Sequence, residues 1–145
     1  MRKLVIAISM LALAASAAFA DPILDRQALM KERGKIVGGI SKVVKDEEPF
    51  DAAAVLTQLQ ALQANAEKFD ADALFPSGSD TGDTTAAPKI WEDMAGFKAV
   101  EDKYLADIKA ATAAAPADVD TLKTQFGAIA SNCGTCHQTY RVKKG

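Results

Sequence analysis

Cys133 and Cys136 flank two small residues, Gly134 and Thr135, and His137, the single histidine of the chain, follows at once. That order of groups suits a c-type haem. Each thiol adds to one vinyl group of a porphyrin as a thioether, and the adjoining imidazole is delivered to one face of the iron. Other uses of the pair fit less well. A disulfide inside one helix closes a small ring that staples little, although an oxidising compartment would allow it. A thioredoxin-like pair follows a strand, and no strand pattern precedes this one. Zinc asks for four ligands, usually as two pairs, and only Cys133, Cys136 and His137 are on offer. The reading is one covalently attached haem c per chain, with His137 as an axial iron ligand.

The segments that position this motif follow from the rest of the chain. Arg2 and Lys3 open it, an apolar run extends from Leu4 to about Ala15, and Ala18-Phe19-Ala20 closes the stretch. This is the pattern of a secretory signal with an A-x-A cleavage site. Residues 1–20 are expected to be removed after Ala20, leaving one domain over 21–145 in a bacterial periplasm. Nothing later is apolar enough to cross a membrane, so the mature protein is not membrane-embedded. The whole chain carries 17 basic and 19 acidic side chains, a net charge of −2. Loss of Arg2 and Lys3 makes it more acidic, which argues against nucleic acid as a partner.

Four segments have helical periodicity. In the first, from about Ile23 to Val44, the residues Ile23, Gln27, Met30, Gly34, Val37, Ser41 and Val44 recur at steps of four and three. The second starts after Pro49-Phe50-Asp51, with Asp51 as its N-cap and Val55, Leu59, Leu62, Ala66 and Phe69 as its stripe. Asp70 to Ala87 reads as a loop rich in Ser, Thr, Asp, Gly and Pro. It either wraps an end of the molecule or covers a haem edge. The third helix opens near Pro88 and carries Ile90, Met94, Phe97, Tyr104 and Ile108. Pro116 precedes the fourth, where Leu122, Phe126, Ile129, Cys133, Cys136 and Tyr140 form the stripe. Both cysteines lie on that apolar seam, so the haem hangs into a core. The short connections join antiparallel neighbours. The fold class is all-α, an antiparallel four-helix bundle with covalently bound haem c.

The chain resembles the class II cytochromes c, the group of cytochrome c prime and its low-spin relatives. The resemblance spans the mature sequence. It rests on haem attachment near the C-terminus and on Arg26 to Lys31, Pro49-Phe50-Asp51, Leu74-Phe75-Pro76, Pro88-Lys89-Ile90-Trp91, and Cys133 to His137 with Tyr140-Arg141 after them. It implies a haem held by the fourth helix and faced by the first. It implies that Arg26 and Gln27 approach the haem or its propionates, that Arg141 stands beside the proximal ligand, and that two copies pair through the first two helices. A solvated first-turn Arg, a boundary Gln and a C-terminal cation favoured by the helix dipole are the plain readings of the same residues.

His137 being the only histidine, a bis-histidine iron is excluded. The second axial position falls to a Met, a Lys, the amino terminus or nothing. Met30 and Met94 are the methionines beyond the signal. Met30 lies on the first seam, where plain packing is the usual use of a flexible thioether. The resemblance places Met30 over the distal iron face, where low-spin members bind iron through Met and cytochrome c prime members block the site without binding. The stretches from Phe50 to Val55 and from Cys133 to Arg141 look closer to the low-spin branch. The expectation is therefore a low-spin His137/Met30 iron that carries single electrons between periplasmic redox proteins, with a five-coordinate protein binding NO or CO as the alternative. Met94 and Trp91 are expected in the core, and Tyr140 on the core seam. Lys143 and Lys144 are solvated and able to assist docking on an acidic partner. An enzyme is not expected, because peroxidase chemistry would need a distal acid–base group and there is no second histidine.

Overall fold

The computed structural model describes residues 21–143. The expected signal peptide and Lys144 lie outside those residues. Among the described residues six helices are formed: α1 Pro22–Val44, α2 Ala52–Glu67, α3 Ala71–Leu74, α4 Lys89–Glu92, α5 Met94–Ala114 and α6 Val119–Tyr140. The four long ones make the bundle. α1 packs on α2 and α6, and α5 packs on the same two, so the square closes. The antiparallel four-helix bundle expected from the sequence is the fold of the protein.

Aspartates start every long helix. Asp21 accepts from the Ile23 and Leu24 amides, Asp51 from Ala54, Asp93 from Gly96 and Asp118 from Thr121. Each satisfies amides that a first turn leaves without a carbonyl. α5 stops at Ala115, whose φ of +44° turns the chain away just before Pro116.

Two expectations are corrected. The segment 70–87 is not loop throughout, because Asp70 caps a single turn, α3, at Ala71–Leu74. The third helix does open after Pro88 but breaks at Asp93, whose φ of −138° and ψ of 56° lie outside the helical region. There the carboxylate is drawn in two directions. Oδ1 accepts from the Gly96 amide at 3.1 Å and Oδ2 accepts from the Tyr140 hydroxyl at 3.0 Å. A short acidic side chain that bonds backbone and a distant hydroxyl competes with the helix ladder.

A Cβ on Gly96 would stand against Asp93 Oδ2 and 2.7 Å from the Tyr140 hydroxyl. Gly96→Ala is therefore expected to lower stability by about 1–3 kcal/mol through overpacking, read as the urea midpoint. Gly127→Ala, whose new methyl group meets nothing within 4 Å, is the control and should gain up to about 1 kcal/mol from helix propensity. Equal midpoints for wild type and Gly96→Ala would show that this corner is loose.

The core has two parts. One, between the C-terminal half of α1, the length of α2 and the facing parts of α5 and α6, includes Ile40, Leu59, Leu62, Ile108, Leu122 and Ile129. The other gathers Ala71, Phe75, Ile90, Phe97 and Tyr140, with Phe69, Trp91 and Met94 against them. Its rings meet edge-on, Phe75 with Phe97 at 4.9 Å and Phe97 with Tyr140 at 5.1 Å, the arrangement that aromatic quadrupoles favour. Between the two parts lies a cavity.

Candidate functional site

The cavity has a volume of about 480 Å3, and its wall includes Met30, Gly34 and Val37 from α1, Phe69 and Phe75, Phe97 and Val100 from α5, and Cys133, Cys136 and His137 from α6. That size and apolar lining match a cofactor site. The stepping of α6 explains how its three groups arrive together. Cys133 packs against the first core cluster and Cys136 against the second, so the two thiols straddle the cavity one helical turn apart.

Both thiols are free and half-buried. Burial raises the pKa of Cys133 and pushes that of Cys136 up to about 12, so each stays a neutral thiol at ordinary pH. His137 is held below its usual range, first by burial and then by the nearby Arg141 cation. The imidazole is thus kept neutral, with a nitrogen lone pair available to a metal. Arg141 stands on the same cavity wall.

Met30 faces the cavity from α1, and Met94 does not. Met94 packs with Trp91 in the aromatic cluster, and the Trp91 indole N–H donates to the Phe75 and Pro76 carbonyls at 3.0 and 3.2 Å. Tyr140 is buried in the core, where the sequence put it, and Trp91 and Met94 pack half-buried against that core. Gly34 lines the wall, and a Cβ built there meets no atom within 4 Å. The backbone of α1 is bare on that side, which gives a flat ring room to approach.

Arg26 and Gln27 also line the cavity, yet their polar ends are spent on the loop. Arg26 is 5% exposed. Its Nη1 donates to the Leu74 carbonyl and to Ser79 Oγ at 3.1 Å each, and its Nη2 to the Ser79 carbonyl and Thr84 Oγ1 at 2.7 Å each. The guanidinium also sits 4.8 Å over the Phe75 ring. Gln27 Nε2 donates to the Asp83 carbonyl at 2.7 Å. The long loop is therefore laid along α1. Its far end is pinned to the tail of the molecule, where the Ala87 amide donates to the Tyr140 carbonyl and the Val142 amide to the Thr85 carbonyl. Of the two courses open to this loop, the structure shows it covering one side of the cavity with Thr84, Thr85 and Ala86.

One part of the wall escaped the sequence reading. Arg33 and Glu101 form an ion pair at 3.0 Å with side chains only 9% and 11% exposed. Arg33 Nε donates to Asn65 Oδ1 at 3.2 Å, and the guanidinium lies 4.4 Å over Tyr104 and 5.6 Å from the Phe69 ring centre. Burial raises the Glu101 carboxyl and Arg33 opposes that shift. Burial likewise raises Tyr104, whose hydroxyl has no hydrogen-bond partner among the described residues. A signal for Glu101 was present, since it falls four residues after Phe97 and three before Tyr104, at the one turn where the stripe of the third helix skips.

The donor set, the bare backbone at Gly34 and the apolar walls all suit a haem bonded to two sulfurs. Comparison with known proteins agrees. The family described as Cytochrome C' matches residues 21–141. The chain is 41% identical over 125 residues to cytochrome c-556 of Agrobacterium fabrum, covering 86% of this chain and 84% of that one. Among solved structures, cytochrome c' from Rhodopseudomonas palustris superposes with a TM-score of 0.80 at 38% identity, over 87% of this chain and 99% of that one. A nitric oxide complex of a variant cytochrome c prime from Alcaligenes xylosoxidans superposes with a TM-score of 0.75 at 33% identity, over 88% and 98%. By sequence and by fold, then, the chain belongs to the cytochrome c' family of class II cytochromes c, and its cofactor is haem c.

Proposed function

We propose that this cytochrome works in the periplasm after removal of residues 1–20, and that its iron binds a diatomic gas, NO or CO, on the face covered by Met30. The observation that carries the reading is that Met30 and His137 line one cavity from two neighbouring helices, α1 and α6. The relatives weigh toward the gas binder. Solved neighbours across the whole bundle are named cytochrome c', and two variants of the one from Alcaligenes xylosoxidans were captured with nitric oxide. Haem iron supplies a one-electron couple and, where a position is open, a site for a small ligand.

The residues divide the work. Cys133 and Cys136 hold the cofactor, each S–H adding across a vinyl double bond so that sulfur takes one carbon and hydrogen the other. His137 binds the metal, kept neutral by burial and by Arg141. Phe69, Phe75 and Phe97 keep water away. Arg26 and Gln27 act through the loop, holding it across the open side. Two copies pair through α1 and α2, and electrons pass to and from redox proteins at the surface.

A second reading has its own support. Among the described residues Met30 is the one wall residue with a thioether, and a sulfur bonded to iron gives a low-spin carrier with a raised potential. The relative from Agrobacterium fabrum is named as a cytochrome without the prime. Carbon monoxide separates the two. The reduced protein is expected to bind it, and Met30→Ala is expected to bind it about tenfold faster, a barrier lower by about 1.4 kcal/mol, with covalent haem retained. A reduced spectrum that saturating CO leaves unchanged, with a thioether band at the red end of the oxidised spectrum, would put Met30 on the iron and make the protein an electron carrier.

A further inference from the structure

We propose that Glu101 is a redox-linked proton site, taking one proton from solvent for each electron that reaches the haem and releasing it on reoxidation. The inference rests on haem c filling the main cavity and holds whether or not Met30 binds the iron.

Position is the first argument. Glu101 and Phe69 are walls of two spaces at once. One side faces the cavity with Cys133 and Cys136. The other faces an outer groove of about 390 Å3 between α2, α3 and α5, rimmed by Glu67, Asp70, Lys98 and Asp102. A carboxylate shared by the cofactor cavity and a polar groove can exchange protons with water without the cavity itself becoming wet.

The second argument is which partner can give way. Arg33 has supports besides Glu101, namely the Asn65 side chain and the flanking Tyr104 and Phe69 rings. Glu101 accepts from Arg33 Nη1 through both carboxylate oxygens, at 3.2 and 3.0 Å. When a proton arrives, the cation keeps its place and the carboxyl becomes the neutral member. Burial already favours that neutral form, and Asp102 beside it pushes the same way.

The third argument is charge. A one-electron donor lowers the charge at the iron by one unit, and inside a protein that change is felt strongly. The proton joins one Glu101 oxygen, so the charge added at the iron is balanced on the wall. Of the other charged groups at the groove, Asp70 caps α3 and Asp102 faces Glu101 as a like charge. In the groove, Lys98 is bonded to Asp72 at 2.7 Å and Glu67 is paired with Lys109 at 3.4 Å. From α6, Cys133 and Cys136 meet it as uncharged sulfurs.

The sign follows from reciprocity. Reduction raises the proton affinity of Glu101, so protonation must raise the potential. Between the oxidised and reduced pKa values of the site the midpoint potential falls as pH rises, with a slope approaching 59 mV per pH unit for one proton per electron. Spectroelectrochemical titration of the haem-loaded protein from about pH 5 to pH 9 should show that slope. Glu101→Gln should lose it and stay near the acid limb of the wild type, while Asp102→Asn, at the exposed rim, should keep it. The same slope in wild type and Glu101→Gln, or a flat wild type, would overturn the proposal. If Glu101→Gln fails to hold haem, the reduced-minus-oxidised infrared spectrum of the wild type decides: a carboxylic acid C=O band must grow on reduction and shift in D2O, and its absence is equally fatal. A merely structural ion pair would produce neither signal.

Discussion

Cys133→Ala together with Cys136→Ala is expected to yield a folded chain from which acid–acetone removes all haem. The loss is chemical before it is structural. Each thiol lies on the cavity wall, half-buried and neutral, and each supplies one S–C bond to the porphyrin. With both gone, the cofactor is held by the His137–iron bond and apolar contact alone, which an acidic organic solvent breaks. Alanine is the best helix former, and the stripe of Leu122, Phe126 and Ile129 that anchors α6 is untouched and buried, so the bundle should still assemble. Each single variant keeps one thioether and should retain haem on a denaturing gel. Mass spectrometry of the double variant gives the decisive reading. Porphyrin still bonded to the polypeptide would remove the two sulfurs from their assigned role.

The second large effect is expected at a distance from the sulfurs. Arg26→Leu removes four hydrogen bonds at once and leaves the Ser79 side chain and carbonyl, in a buried setting, without their donors. An orphaned buried acceptor costs about 1–3 kcal/mol, so a loss of about 3 kcal/mol or more is expected in urea. Much of that loss should be local. Amides of residues 74–87 should exchange faster than those of α2, because the loop then leans on its ties through Gln27, the Trp91 indole and the two backbone bonds to the tail. Arg26→Lys should not rescue, since a point charge cannot reach two carbonyls and two hydroxyls in one plane. A stability within about 0.5 kcal/mol of wild type would show that the clamp contributes no more than an ordinary surface residue.

Much of this architecture was legible in the sequence for physical reasons. The stripe of α6 combined the bundle face and the chemistry in one periodicity, so Cys133 and Cys136 could be placed inward before any coordinates. Pro49 with Asp51, and Pro116, marked helix ends because proline and aspartate act locally. The first helix was read less completely. The seam of Gln27, Met30, Gly34 and Val37 lines the cavity, while the bundle core is served by a neighbouring face carrying Leu29, Ile40 and Val43. A helix beside a cofactor has two inward faces, and a single stripe describes only one. The break at Asp93 was half hidden, because its cap on Gly96 is local but the Tyr140 hydroxyl that holds its other oxygen is distant in sequence. Arg33 and Glu101 were hidden for a similar reason. Each alone is a charge spoiling an apolar stripe, and only their meeting across the bundle makes burial tolerable.

The backbone bonds from residues 85–87 to residues 140–142 carry a practical consequence for anyone handling this cytochrome. The few residues after the last helix look like a dispensable tail, and an affinity tag would ordinarily be fused there. Val142 nevertheless belongs to the closing stitch beside the cofactor, so a fusion junction cut back to Tyr140 would unpick it. An appendage placed after the final lysines leaves that stitch intact.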